Sequence, residues 1–178
     1  MLIIQCIIFL FLLGGKFPKV NENEPEKENI MSFKNEDNIL QDWLLLRKVT
    51  LKELSSQKSI VVENVRYEGL TNLTRVQLNA DISKYYFFDS TGSCVMIYIN
   101  NEHELAKLSF EDITGTFGKP EETVSSRAGK RARHNIYAQN GFAFSEMDKK
   151  ILFVEIFPGC SLADYKSKIY IPPAKFKQ

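Results

Sequence analysis

A dominant charge is the first thing this chain lacks. Lys and Arg total 23 against 22 Asp and Glu, a formal balance of +1. No global field therefore points to nucleic acid or to an anionic membrane. Cysteine is scarce, with Cys6, Cys94 and Cys160 the only three, and no Cys/His spacing matches a zinc site. Cys6 falls in an apolar segment, which leaves Cys94 and Cys160 either as one disulfide of an oxidising compartment or as two separate buried thiols. There are two histidines, His103 and His134, and neither has a nucleophile in a recognisable setting: no Gly-x-Ser-x-Gly elbow is present. Phosphate cradles of the Gly-x-x-x-x-Gly-Lys-Ser/Thr or Gly-x-Gly-x-x-Gly type are missing as well. Nothing in the sequence calls for a metal or a cofactor. The adjacent pairs Glu111-Asp112 and Glu121-Glu122 place their side chains on diverging paths, which does not suit paired acid–base work on one bond.

What is present is an ordinary globular composition, 44% hydrophobic and 25% charged, with a high aromatic share of 12%. Most of the Phe and Tyr lie in strand-like runs, where flat rings pack on a pleated surface. The apolar run at residues 2–13, broken by Gln5, is shorter than the ~20 residues of a bilayer span. It matches the h-region of a secretory signal, with Gly14-Gly15 near a candidate cleavage point. No Lys or Arg precedes it, and Lys16 stands where a lipoprotein would carry its lipidated Cys. The organisation that follows is a signal peptide or membrane anchor at 1–15, a disordered Asn/Glu/Lys-rich linker at 16–37 and one folded domain at 38–178. Met31 offers an alternative start for a cytoplasmic chain.

Within the domain, residues 39–54 read as an amphipathic helix capped by Asn38, with Trp43 directed at the sheet and Val49-Thr50 dividing it into two shorter pieces. Strand patterns occupy 59–67, a short 74–78, then 82–88 and 93–99, the last two closed over the Asp89-Ser90-Thr91-Gly92 turn. Residues 100–104 read as a polar loop. A second helix spans 109–117, with Ser109 as its N-cap, Glu111 and Asp112 at the positive end of its dipole, and Gly118-Lys119-Pro120 as its stop. Strands at 123–126 and 132–138 enclose a turn at 127–131. Asn140-Gly141 suits positive φ at both central positions of a hairpin leading to strands at 142–147 and 151–157. The fold class is α+β: an antiparallel sheet of hairpins and meanders packed against two helices.

The strongest surface feature is the basic cluster Arg127, Lys130, Arg131, Arg133 and His134, which would meet an acidic partner protein or anionic headgroups. The competing reading is a solvated hairpin tip that discourages edge-to-edge association. No aromatic platform is interleaved with these cations, which argues against single-stranded nucleic acid. Both histidines read as surface residues. Asn72-Leu73-Thr74 is a glycosylation sequon if the host is eukaryotic.

The order of helix, Phe117-Gly118-Lys119-Pro120, strand, Tyr137, Gly141 turn and strand over residues 108–157 resembles the small outer-membrane assembly lipoproteins of the BamE/SmpA type. It is also similar to uncharacterised bacterial domains, some of them near toxin–immunity loci. The lipid-bearing Cys of the former is absent at Lys16, and residues 38–107 are additional to them. The resemblance implies a binding module, with the sequence patterns it shares being fold punctuation. The sequence leads to a non-enzymatic protein-binding domain of the bacterial envelope or secretory space, using the 127–134 hairpin or an exposed face, its partner unidentified. Two alternatives stay open: a cytosolic immunity-type inhibitor of a toxin enzyme, and a small hydrolase built on His134 or His103.

Overall fold

Two reciprocal capping boxes begin the helices that position the sheet. Thr50 accepts the Glu53 N–H while the Glu53 carboxylate accepts the Thr50 N–H, and Ser109 and Asp112 repeat the arrangement. Each box satisfies two backbone donors that a helix start leaves unpaired. The computed structural model describes residues 39–172. Helix α1 spans Ile39–Leu45, a 3₁₀ turn follows at Leu46–Lys48, and α2 covers Leu51–Ser55. The division expected at Val49-Thr50 is thus present, and Thr50 caps the second piece; Asn38, the expected cap of the first, lies outside the described residues. Helices α3 (Glu102–Leu105) and α4 (Phe110–Phe117) precede the second half of the sheet. The segment read as a polar loop is therefore helical: Asn101 caps α3 by accepting the N–H groups of His103 and Glu104. Helix α4 ends at Gly118, with φ +76°, whose carbonyl accepts the Tyr137 hydroxyl at 3.0 Å. Among the described residues, no helix is long and apolar enough to cross a membrane.

The eight strands are β1 (Ser59–Tyr67), β2 (Leu70–Leu78), β3 (Asp81–Phe88), β4 (Cys94–Ile99), β5 (Glu122–Ser125), β6 (Arg133–Tyr137), β7 (Phe142–Met147) and β8 (Lys150–Ile156). They form one antiparallel sheet in the order β1-β2-β3-β4-β8-β7-β6-β5. The same element order, two helices and then a four-stranded meander, thus occurs twice, and the halves join where β4 pairs with β8 through Ile97↔Ile156, Tyr98↔Glu155 and Ile99↔Val154. The α+β class read from the sequence is the architecture found.

One face of the sheet carries the larger core. Trp43 and Leu54 from the first helices, Leu105 and Ile113 from the second pair, and Ile97, Phe144 and Val154 from the strands pack together. The opposite face is covered by the chain after β8, where α5 (Leu162–Asp164) runs into a π-helical turn at Tyr165–Ile169. It is also covered by the far end of the β1–β2 hairpin. That hairpin is longer than the 74–78 pattern suggested, because Asn64 (φ 54°) and Asn72 (φ 56°) introduce left-handed kinks into both strands. The β1–β2 register shifts on either side of Val65, which bends the strand as a bulge does. The bent end then folds inward. Its Tyr67 ring sits 4.9 Å from Phe87 and 5.7 Å from Tyr98, and the Gly69 N–H bonds the Ile169 carbonyl at 3.2 Å. Cys94 belongs to the first core and Cys160 flanks the second. Both are free thiols, but only Cys94 is buried and Cys160 is half-buried, so the alternative of two separate buried thiols holds for Cys94 alone.

Turn chemistry differs from expectation in the β6–β7 hairpin. In the β6–β7 connection only Gly141 takes positive φ, at +70°; its N–H bonds the Ala138 carbonyl at 3.0 Å. The left-handed pair occurs instead at Asp148 (φ 52°) and Lys149 (φ 65°), between β7 and β8. A side chain such as Lys149 costs roughly 1–2 kcal/mol there relative to Gly. The ion pair of Lys149 with Glu111 at 3.5 Å joins two well-exposed side chains and adds little in return. Lys149→Gly should therefore stabilise the domain by about 1 kcal/mol and raise its melting temperature by about 3 °C, as read by circular dichroism on heating.

Candidate functional site

Strand β8 contains the sequence Leu152-Phe153-Val154-Glu155-Ile156, in which one carboxylate interrupts an apolar run. Alternation places Val154 and Ile156 in the helix-side core, and sends Phe153 and Glu155 to the other face. Glu155 is only 1% exposed, so its charge requires partners. It has them from both sides. The Tyr67 hydroxyl donates to Oε1 at 2.6 Å and Arg127 Nη1 donates to the same oxygen at 2.9 Å. Tyr165 donates its hydroxyl proton to Oε2 at 2.5 Å. Arg127 Nη2 also donates to the Tyr67 hydroxyl oxygen at 2.6 Å, and Nη1 meets Glu68 at 2.9 Å.

Beyond Tyr165 the network continues to His134, whose Nε2 lies 2.7 Å from the Tyr165 hydroxyl and whose Nδ1 lies 2.8 Å from Ser145 Oγ. Ser145 Oγ is 2.6 Å from Ser126 Oγ, which accepts the Ala128 N–H at 3.0 Å. One assignment of protons satisfies every member. Ser126 donates to Ser145, Ser145 to His134 Nδ1, His134 Nε2–H to Tyr165, and Tyr165 to the carboxylate. The neutral Nε2–H tautomer of His134 follows from this direction of donation. Among the described residues, the Asn135 amide nitrogen is the buried side-chain polar atom left without a partner, and it belongs to none of these bonds.

The electrostatics agree with an ionised carboxylate at the centre. Burial pushes the Glu155 pKa up, but hydrogen bonds from His134 and Tyr165 and the charge of Arg127 outweigh it and hold the carboxyl at about 2. Burial first, and then the Glu155 charge, push the hydroxyls of Tyr67 and Tyr165 upward, so both remain proton donors. The Arg127 guanidinium lies 4.3 Å over the Phe153 ring and within 5.5 Å of the Tyr98 and Tyr67 ring centres. Such stacking favours a cation that is shielded from water.

This geometry separates the five basic residues singled out in the sequence. Arg127 has a side chain only 30% exposed and is engaged inward. His134 is not a surface residue: it is 2% exposed and stacks against Tyr170 with ring centres 6.0 Å apart. It is buried because its strand position, paired with Val124 on one side and Ser145 on the other, points it beneath the C-terminal segment. Lys130, Arg131 and Arg133 do face outward. They border an open groove beside β5, together with Thr123, Ser125 and Tyr170. Sequence reasoning missed Tyr67, Ser126, Ser145, Glu155 and Tyr165. Only Glu155 carried a local signal, as a single charge in an apolar strand.

Ser145, His134 and Glu155 have the composition of a nucleophile, base and acid. Their arrangement does not serve that chemistry. Ser145 has no exposed surface, His134 Nε2 lies 3.5 Å from Glu155 Oε2 with the Tyr165 hydroxyl bonded to both, and the cavity beside His134 measures about 10 Å³, the lower limit for one water. His103 lies in the first turn of α3, and among the described residues no acid or nucleophile is bonded to its ring. Among the described residues, no group of three or more His, Cys, Asp or Glu side chains could hold a metal ion. What the buried network does is fasten. It ties the β1–β2 arm, the 126–132 loop and the C-terminal segment to one strand. Comparison with protein-family models, with curated proteins and with solved structures finds no match to this chain.

Proposed function

We propose that this chain is a non-enzymatic protein-binding domain of the bacterial envelope or secretory space, with Lys130, Arg131 and Arg133 forming its contact surface. The observation that carries the reading is how that loop is held. Ser126 N–H bonds the Ala132 carbonyl at 3.0 Å and Ala132 N–H bonds the Gly129 carbonyl at 3.1 Å. Beneath them, Arg127 and the Ser126 hydroxyl reach into the buried network. The cations are thereby presented on a preorganised loop, which lowers the ordering cost of association. Export rests on the apolar residues at 2–13. A cytosolic inhibitor starting at Met31 would use the same surface, and recovery of an intact or Met31-started chain from the cytosol would select it.

The test is a photo-crosslinking amino acid introduced at Lys130 in the native host. A discrete protein adduct is expected, lost in the Arg131→Glu/Arg133→Glu variant at unchanged expression. An absence of adducts at position 130, with adducts from a control position such as Leu45, would overturn the reading.

A further inference from the structure

The sheet has two edges, and they are treated differently. Strand β1 is the edge of the first half, and its pairing with β2 carries two register shifts, with Glu63 and Arg66 on the strand itself. Bulges and on-strand charges are the usual protection against a second chain adding to an edge. Strand β5 is the other edge, paired among the described residues with β6 alone. Its four pairs, from Glu122↔Ile136 to Ser125↔Arg133, run without a shift, and it contains no proline and no cation. Glu122, its single charge, is already met by Lys166 at 2.9 Å. The cations stand beside the strand instead. Lys130, Arg131 and Arg133 line the groove that runs along it. The Arg131 side chain is 76% exposed, with its nearest carboxylate, Asp148, 3.8 Å away.

The backbone of β5 is also turned the right way. Ser126 N–H bonds inward to Ala132, so by alternation the groups of Ser125 and Thr123 point outward. The Tyr170 hydroxyl confirms this by donating to the Ser125 carbonyl from outside at 2.8 Å. A side chain thus occupies a place that the backbone of an added strand would take.

From these observations we infer that β5 accepts a short, extended, acidic segment of a partner protein as a ninth strand. Its backbone pairs with Thr123 and, in place of the Tyr170 hydroxyl, with Ser125, and its carboxylates meet Lys130, Arg131 and Arg133. The inference rests on the binding function proposed above and adds the chemistry and conformation of the ligand. Strand addition draws affinity from main-chain hydrogen bonds and selectivity from alternate side chains. Here alternate acidic side chains match the groove's charge.

The probe is an acetylated, amidated octapeptide alternating Glu and Val, titrated against the full chain by fluorescence anisotropy at low salt. Its controls are the same peptide with Lys for Glu and a form N-methylated at every second amide. The acidic peptide should bind, the Lys peptide should not, and N-methylation should weaken binding tenfold or more. Arg131→Glu/Arg133→Glu should do likewise, as should Ser125→Pro, which removes one outward N–H from an edge position where proline is tolerated. Should Ser125→Pro not fold, the N-methylated peptide still decides. Equal binding of the methylated and unmethylated peptides would reduce the groove to plain charge attraction and overturn strand addition. So would binding of phosphatidylglycerol vesicles, but not the peptide, through Arg131 and Arg133. A protein adduct at position 130 with no peptide binding would sink only the strand-addition inference, whereas loss of both would sink the binding function too.

Discussion

Glu155→Gln should lower the unfolding free energy by about 3–5 kcal/mol, the range for breaking a buried ion pair by removing one partner. Against a total of roughly 5–15 kcal/mol for an ordinary domain, the variant would be folded only marginally. The argument follows the hydrogens. Tyr67 and Tyr165 both donate to the carboxylate, while their own oxygens accept from Arg127 and His134. A carboxamide has one oxygen and one NH₂ group. Whichever tyrosine faces the NH₂ must accept from it while still accepting from its present donor, and its own proton then has no acceptor. Arg127 keeps Glu68 as a counter-charge, which prevents complete loss of the fold. Urea unfolding at pH 7 measures the change. A loss below about 1 kcal/mol would mean that the desolvation of the carboxylate cancels its partnerships in the native protein.

The same residue sets an acid response. Its folded pKa of about 2 lies below the ordinary value of 4.5, so the unfolded chain binds the proton more readily. Its contribution is fully present above pH 4.5 and is lost as pH falls toward 2. The urea midpoint of the native protein should fall across that window, and the midpoint of Glu155→Gln should fall less steeply.

The sequence was most legible where a structural cause is local. Asp89 and Gly92 close a turn whose Asp carboxylate accepts the Thr91 and Ser93 N–H groups, and Ser109 caps its helix with residues three positions away. Strands β7 and β8 could be read as apolar runs because both of their faces are buried, and β1 from its loose alternation, although only Tyr67 of that strand is buried. Helix α3 was missed because four residues are too few to show a period, although Asn101 is a good cap. The full length of β2 was missed because the kink at Asn72 breaks alternation where the hairpin bends. The site was half legible. A cluster of basic residues is visible in any sequence, but Arg127 and Arg131 lie in a loop with no fixed parity, and alternation in β6 separates Arg133 from His134 without saying which face is covered. The partners that draw Arg127 and His134 in, Tyr67, Ser145, Glu155 and Tyr165, come from four separate elements, and only the closed sheet brings them together.

Gly141→Ala should cost about 2–5 kcal/mol, combining left-handed strain of ~1–2 kcal/mol with an overpacking penalty of ~1–3 kcal/mol. Gly141 has φ +70°. A Cβ there would stand 2.1 Å from the Phe157 carbonyl oxygen, 2.8 Å from Arg47 Nη1 and 3.0 Å from the Gly159 nitrogen. The guanidinium is flexible and would yield; the two backbone groups would not without moving the chain. They are pinned because Phe157 N–H bonds the Gly141 carbonyl at 2.9 Å and Cys160 N–H bonds the Ala138 carbonyl at the same length. Gly92→Ala separates the two contributions. Gly92 has φ +81°, and its added Cβ would find nothing nearer than Leu51 Cβ at 3.7 Å, so only the left-handed strain should appear. Thermal and urea unfolding of the two variants should differ by about 2 kcal/mol on this accounting. Equal losses would show that the backbone beside Gly141 yields freely. The contact matters beyond stability, because the chain leaves β8 through Phe157 to deliver Tyr165 to Glu155. A shift at Gly141 should therefore loosen the hydrogen bonds of the buried network, and Gly141→Ala should change the near-ultraviolet tyrosine signal of the folded protein while Gly92→Ala leaves it intact.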